Sequence, residues 1–242
     1  MSQLYQGDFD LGRLAAERLY SEPLGRGVLV EELHYGAVAV VQRLDDIDPH
    51  ALVLVGAEAR GRVPGTVERR RVHAAGLSDE QVQQAVRDAV TGYVTIDLLV
   101  EVASGLDALP RRTVSIEVEP VHTDSGDELS PAARTGLEEA LRLVHAEVDR
   151  IPLLELADDL RPLVDADRLG PAPALDTLRA LLGELEVLDE EGRWGATFAL
   201  RDRLRRTIAD GQTCEGMDHL DWGLWWTLIE ELDRLQGQEI LR

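Results

Sequence analysis

The sequence predicts a three-layer α/β fold with a mostly parallel sheet, followed by a C-terminal α-helical domain. Two observations support the first part: strand-like apolar runs alternate with helical patterns as far as about residue 150, and residues 51–56 form a continuous apolar run of strand length. Such a run is typical of a parallel strand covered on both faces. Beyond residue 150 only helical patterns appear, so we predict domains at 1–150 and 151–242.

The elements follow in chain order. Strands are predicted at 28–33, 51–56, 66–71 and 113–118, with helices at 10–21, 36–44, 78–90, 93–106 and 130–150. Asp8 or Asp10 is expected to cap the first helix, because a short side-chain acceptor can satisfy its free amide groups. Pro152 and Pro162 are expected to interrupt the chain after residue 150. Three further helices are predicted at 176–188, 194–208 and 218–235.

Composition excludes several classes of function. The formal net charge of −21 disfavours nucleic acid and anionic membranes as partners. No apolar run reaches the roughly 18 residues of a transmembrane helix, and the N-terminus does not resemble a signal peptide, so a cytoplasmic location is expected. The single cysteine, Cys214, has His219 as its nearest possible base, but a semi-buried apolar thiol is the simpler interpretation.

A series of short motifs along residues 7–149 carries a family resemblance. They occur in this order: Gly7–Gly12, Tyr35–Gly36, Leu52–Ala57, Pro64–Thr66, Ile116–Pro120 and Gly126–Pro131. Together they resemble the hydrogenase maturation proteases, which remove a C-terminal extension from the large subunit of [NiFe] hydrogenase. The resemblance implies an α/β fold and a protein partner, either a hydrogenase large subunit or another maturation protein.

The same resemblance implies a nickel site, but the residues at its positions are unsuitable. The three ligand positions of the family fall on Phe9, Gly56 and Gly92. None of these side chains offers the carboxylate oxygen or imidazole nitrogen that such an ion requires. We therefore expect no cofactor, with nickel only if a displaced site exists.

Four residues could build such a displaced site. Asp8, Asp10, His34 and Glu58 lie at or near strand or turn ends, where α/β sheets bind ligands. The alternative is that the aspartates cap helices, Glu58 is solvated and His34 is partly buried. A carboxylate pair, Asp97 and Glu101, shares one helix face, which usually indicates solvation.

The segment 213–226 has an unusual composition, rich in acidic and aromatic residues. Trp222, Trp225 and Trp226 could pack in the core or bind a partner, since tryptophan is enriched at interfaces. A metal or cofactor site in this segment is a further alternative.

Three functions follow as hypotheses. The first is a catalytically inactive protease homologue acting as a hydrogenase maturation or assembly factor. The second is an active metal-dependent endopeptidase with a relocated site. The third is a structural subunit or interaction module, including a homo-oligomer.

Overall fold

The structure, a computed structural model, describes residues 6–22, 24–33, 36–89, 95–121, 126, 128–167, 172–194, 197–209 and 219–240. The chain divides into two compact units, Met1–Val148 and Asp149–Arg242. Within the described residues, no helix is both long and apolar enough to cross a membrane.

Unit 1 is an α/β structure. A single 3-10 turn, Gly7–Asp10, leads into α1 (Leu11–Tyr20), and the elements that follow are α2 (Ala37–Ile47), β1 (Ala51–Ala57), β2 (Val67–Val72), α3 (Asp79–Ala89), α4 (Ile96–Gly105), β3 (Arg112–Val118) and α5 (Pro131–Asp165). The residues of α5 up to Val148 belong to unit 1 and the rest to unit 2. Ser78 caps α3: its hydroxyl accepts a hydrogen bond from the Gln81 amide, and its own amide donates to the Gln81 side chain.

The described sheet has three strands in the order β1-β3-β2. β1 runs parallel to β3, with Ala51 opposite Arg112 and Ala57 opposite Val118. β2 runs antiparallel to β3, so the described sheet is mixed. The carboxyl ends of β1 and β3 therefore lie side by side at one edge of the sheet.

Apolar clusters cover both faces of this sheet, which confirms the three-layer α/β class. On one face Val114, Ile116 and Val118 pack against residues of α1 and α5. On the other face Leu54 packs against residues of α2, α3 and α4. The continuous apolar run forms β1, whose alternate side chains enter the two apolar clusters. In the described sheet β1 pairs only with β3, so β3 and not β1 is the central strand.

The strand predicted at 28–33 does not form. Val28 and Leu29 are exposed, and Glu31 accepts two hydrogen bonds from Arg43 of α2, at 2.9 and 2.7 Å. The Glu31 side chain thus holds this segment against α2, and the backbone of residues 28–33 forms no β-ladder with the described sheet. β-propensity alone gave the wrong prediction because strand formation depends on a neighbouring strand.

The prolines at 152 and 162 do not interrupt α5, which continues through both of them to Asp165. An interior proline costs a helix about 3 kcal/mol. Here the following turns are held by burial: Leu153, Ala157 and Leu160 lie in the apolar core of unit 2. Unit 2 is completed by α6 (Ala172–Glu191), α7 (Thr197–Ala209) and α8 (His219–Ile240), the further helices that the sequence predicts.

Candidate functional site

The candidate site lies at the carboxyl edge of β1 and β3. Glu58 follows β1, Glu119 follows β3, and the loop 59–66 connects β1 to β2. The loop is joined to the end of β3 by hydrogen bonds from the Gly65 amide to the Glu119 carbonyl and from the Glu119 amide to the Thr66 carbonyl, at 2.8 and 2.9 Å. α/β sheets bind ligands at this edge. The hydrogen bonds that each polar side chain makes here therefore determine whether it is available to bind a ligand or to take part in catalysis.

Asp8 is fully buried and acts as a structural acceptor. Its carboxylate accepts hydrogen bonds from the amides of Val121 and Ser130, both at 2.7 Å, and from the Ser130 hydroxyl at 2.9 Å. Ser130 directly precedes α5, and its hydroxyl also accepts from the Ala133 amide. The sequence prediction had placed this aspartate at the start of α1, whereas it stabilises the start of α5.

Asp10 is also buried but is bound by a guanidinium. Arg13 donates to it from Nε at 2.9 and 3.0 Å and from Nη2 at 2.5 Å. The residue is at the N-cap position of α1, yet its side chain makes no capping hydrogen bond. The pair raises the pKa of Arg13, chiefly through the hydrogen bond to Asp10. The carboxylate of Asp10 is therefore paired with a guanidinium group inside unit 1.

The positions at which the family resemblance implies a metal do not fit one. The ring of Phe9 packs against the apolar cluster around Ile116, and Gly56 is buried in β1 without a side chain. Gly92 lies outside the described residues. Among the residues that the structure describes, no group of three His, Cys, Asp or Glu side chains could hold a metal ion.

Glu58 caps the N-terminus of α4. Its Oε1 accepts a hydrogen bond from the Ile96 amide at 2.8 Å, while the hydroxyl of Thr95 accepts from the Leu98 amide. Burial raises the pKa of Glu58, and the Ile96 amide and Arg60 oppose this effect. The solvated state that the sequence left open does not apply, since this carboxylate is partly buried and bound to a helix end.

Beside Glu58, three arginines surround one buried carboxylate, and we call them the guanidinium cluster: Arg60, Arg62 and Arg70. Arg60 binds both oxygens of Glu117, each at 3.0 Å. Arg62 and Arg70 donate to the same carboxylate at 3.0 and 2.9 Å. Glu117 has no solvent exposure, so the three guanidinium groups, and not water, compensate its charge.

Two further carboxylates, one on α4 and one on β2, form ion pairs with the arginines of the guanidinium cluster. Asp97, in the first turn of α4, binds Arg60 at 2.5 and 2.8 Å and Arg70 at 3.3 Å. Glu68 of β2 binds Arg62 at 2.7 Å. Three guanidinium groups thus face three carboxylates, of which only Glu117 is buried.

The pKa values at this site follow from the same contacts. Burial alone would raise the pKa of Glu117, but hydrogen bonds from Arg60, Arg70 and Arg62 outweigh it and lower the pKa to about 2. The hydrogen bond from Arg60 is also the main cause that lowers the pKa of Asp97. Both groups are therefore ionised at neutral pH, which makes them acceptors for arginine and not proton donors.

Glu119 holds the loop 59–66 from the other side. Its carboxylate, 5% exposed, accepts hydrogen bonds from the amides of Arg60 and Gly61 at 2.9 and 3.0 Å. Gly61 has φ +75°, a value that favours glycine and directs the two successive amides toward one anion. Asp8, Glu58 and Glu119 thus each satisfy backbone amides at this edge.

Several of the remaining predicted site residues lie outside the described part of the chain. His34 and Cys214 lie outside the described residues, and the side chains of Trp222 and His219 are likewise not described. Trp225 is 2% exposed in the core of unit 2, whereas Trp226 is 48% exposed. Asp97 pairs with Arg60 and Arg70 of the guanidinium cluster, while Glu101 is exposed.

Sequence reasoning missed the guanidinium cluster. Its signal was present in two places: Glu117 is an acidic residue in a strand where polar and apolar residues alternate, and arginines crowd the loop before β2 and β2 itself. An acidic residue in a buried strand needs a partner, and the nearby arginines were the available ones.

Comparison with known proteins gives matches at the level of structure only. No family model and no curated protein matches the sequence. Among solved structures, the chain is similar to a hydrogenase 2 maturation peptidase from Thaumarchaeota archaeon SCGC_AB-539-E09, with 22% identity and a TM-score of 0.43. This match covers 59% of this chain and 90% of the other.

Two further matches are of the same kind. One is the hydrogenase maturating endopeptidase HybD from E. coli, with 18% identity, a TM-score of 0.43, and 59% of this chain and 85% of the other covered. The other is the [NiFe] hydrogenase maturation protease HycI from Thermococcus kodakarensis KOD1, with 19% identity, a TM-score of 0.39, and 61% and 87% covered.

Proposed function

We propose that this chain is a cytoplasmic maturation or assembly factor for a hydrogenase, and that it binds a protein partner without cleaving it. The observation that carries this proposal is the state of the carboxylates at the carboxyl edge of the sheet. Asp8 and Glu58 accept hydrogen bonds from backbone amides at or next to the ends of structural elements, and Glu119 accepts them from two amides of the loop 59–66.

A carboxylate in this state is a poor metal ligand or catalytic base. To bind an ion, Asp8 would have to release the amides of Val121 and Ser130 and the Ser130 hydroxyl. A buried donor left without its acceptor costs about 1–3 kcal/mol. Relocating a protease site onto Asp8 would thus destabilise the start of α5, which favours the inactive homologue over the relocated protease.

The half-exposed Trp226 supports a role in binding. It lies on α8 between the buried Trp225 and the exposed Thr227, and a large exposed aromatic side chain is a frequent anchor at protein interfaces. In this proposal Trp225 stabilises unit 2, and Trp226 is available to a partner.

The test is complex formation with hydrogenase components. The full chain, carrying an affinity tag, is mixed with a purified precursor of the hydrogenase large subunit and with the other maturation proteins of the same organism, and complexes are resolved by size-exclusion chromatography with light scattering. We expect a stoichiometric complex with at least one component, and weaker binding by Trp226→Ala than by the control Thr227→Ala. Absence of a complex with every component would reject the proposal.

A further inference from the structure

The guanidinium cluster has one fixed counter-ion and two that can be exchanged. Glu117 is fully buried, whereas the side chains of Asp97 and Glu68 are each 48% exposed. A half-exposed carboxylate is solvated by water when it leaves an ion pair, whereas a buried one is not. Asp97 and Glu68 can therefore exchange with another ligand, while Glu117 stays.

Glu117 also holds the arginines in position. Three guanidinium groups donate to its two oxygens, and the Ser115 hydroxyl donates to Oε1 at 3.1 Å. An arginine that is already immobilised loses less conformational entropy when it binds a ligand. The free chain has thus already arranged these donors.

Asp97 demonstrates the ligand geometry that the cluster accepts. Its two oxygens face Nη1 and Nη2 of Arg60, at 2.5 and 2.8 Å, and one of them also contacts Arg70. This is the paired arrangement in which arginine recognises a carboxylate. A carboxylate from outside could adopt the same arrangement once Asp97 has moved away.

The surroundings are those of a protein-binding site. Val63, in the loop before β2, is 76% exposed, and Val121, after β3, is 46% exposed. Residues 60–72 contain five arginines and one glutamate, although the whole chain has a net charge of −21. Guanidinium donors beside exposed apolar side chains fit a segment that carries both carboxylate and apolar groups.

We infer that Arg60, Arg62 and Arg70 form a binding site for carboxylate groups of the partner protein, which Asp97 and Glu68 occupy in the free chain. This inference rests on the proposed function and specifies the chemistry that the partner presents. Removal of Asp97 should consequently strengthen binding, since it removes an internal competitor for the same donors.

The test uses two fluorescein-labelled hexapeptides and the full chain. One peptide alternates valine with glutamate, the other valine with glutamine, and binding is followed by fluorescence anisotropy at low ionic strength. Asp97→Asn should bind the glutamate peptide about fivefold more tightly than the wild type, and Arg70→Gln about fivefold more weakly. The control Arg142→Gln, which removes an exposed arginine paired with Glu139 on α5, should bind like the wild type.

The outcomes separate this inference from the proposed function. Equal binding of the two peptides, or Asp97→Asn binding no more tightly than the wild type, would reject the carboxylate site, and circular dichroism of each variant verifies that it is folded. If complexes with hydrogenase components form but the peptides are not distinguished, only the carboxylate site is wrong. If the peptides are distinguished but no such complex forms, the site stands and the hydrogenase partner is wrong.

Discussion

Replacing Glu117 by glutamine should destabilise unit 1 strongly. The substitution keeps the size of the side chain but removes the charge that three guanidinium groups share, and it turns an amide donor toward them. The pKa of Glu117 lies at about 2 in place of its ordinary 4.5. This difference corresponds to roughly 3 kcal/mol, at the lower end of the about 3–5 kcal/mol lost when a buried ion pair is broken.

A loss of that size is measurable by thermal unfolding. We expect the Tm of Glu117→Gln, followed by far-ultraviolet circular dichroism, to fall by about 6–12 °C, since about 1 kcal/mol shifts the Tm of a chain of this size by roughly 2–4 °C. All four tryptophans lie in unit 2, so tryptophan fluorescence provides a separate record of that unit. The control is Glu128→Gln, whose side chain is 87% exposed and pairs with Arg134 in solvent; its stability should change by less than about 0.5 kcal/mol.

The pH dependence gives the same prediction an independent check. The folded-state pKa of Glu117 is lower than the unfolded one, so its stabilising contribution is complete above about pH 4.5 and disappears as the pH falls toward about 2. The difference in stability between the wild type and Glu117→Gln should shrink over that interval. A Tm within 2 °C of the wild type at pH 7, or a difference that does not depend on acid pH, would refute the reasoning.

Four further substitutions test other parts of the structure. Asp8→Ala should lower the free energy of unfolding by about 2–4 kcal/mol in urea titration, because three donors at the start of α5 lose their acceptor; a loss below about 1 kcal/mol would contradict its structural role. Trp225→Ala should cost about 3–5 kcal/mol, and Trp226→Ala less than about 1 kcal/mol, since only the first is buried; equal losses would contradict the burial described. Gly136→Ala should destabilise unit 1 by about 1–3 kcal/mol, because its Cβ would lie 2.5 Å from Cγ1 of Val118, and an unchanged Tm would refute this close packing of α5 on β3.

The sequence predicted those parts of the fold in which local pattern and burial agree. The apolar run in β1, the strand β3 and the helix α3 all form at the expected places. The prediction was wrong where tertiary contacts decide the outcome. Residues 28–33 have strand propensity but are fixed to α2 by the Glu31–Arg43 pair, and α5 passes through two prolines because the following residues are buried.

The candidate site was predicted less completely, for a physical reason. Asp8, Asp10 and Glu58 were identified as acidic residues near element ends, but their hydrogen-bond partners at Ser130, Arg13 and Ile96 are not deducible from spacing alone. Asp8 contacts a residue more than a hundred positions away. The guanidinium cluster likewise depends on the pairing of β2 with β3, which places Glu68 opposite Glu117 and Arg70 opposite Ser115.

The most direct test of the central claim is the mass of a hydrogenase large-subunit precursor after incubation with the purified chain, with and without added nickel. If the acidic residues at the sheet edge serve as structural acceptors, intact-protein mass spectrometry should show an unchanged precursor in both conditions. In size-exclusion chromatography the precursor and this chain should elute together. A precursor shortened at its C-terminus, in a reaction that Asp8→Ala or Glu58→Gln abolishes, would contradict the account.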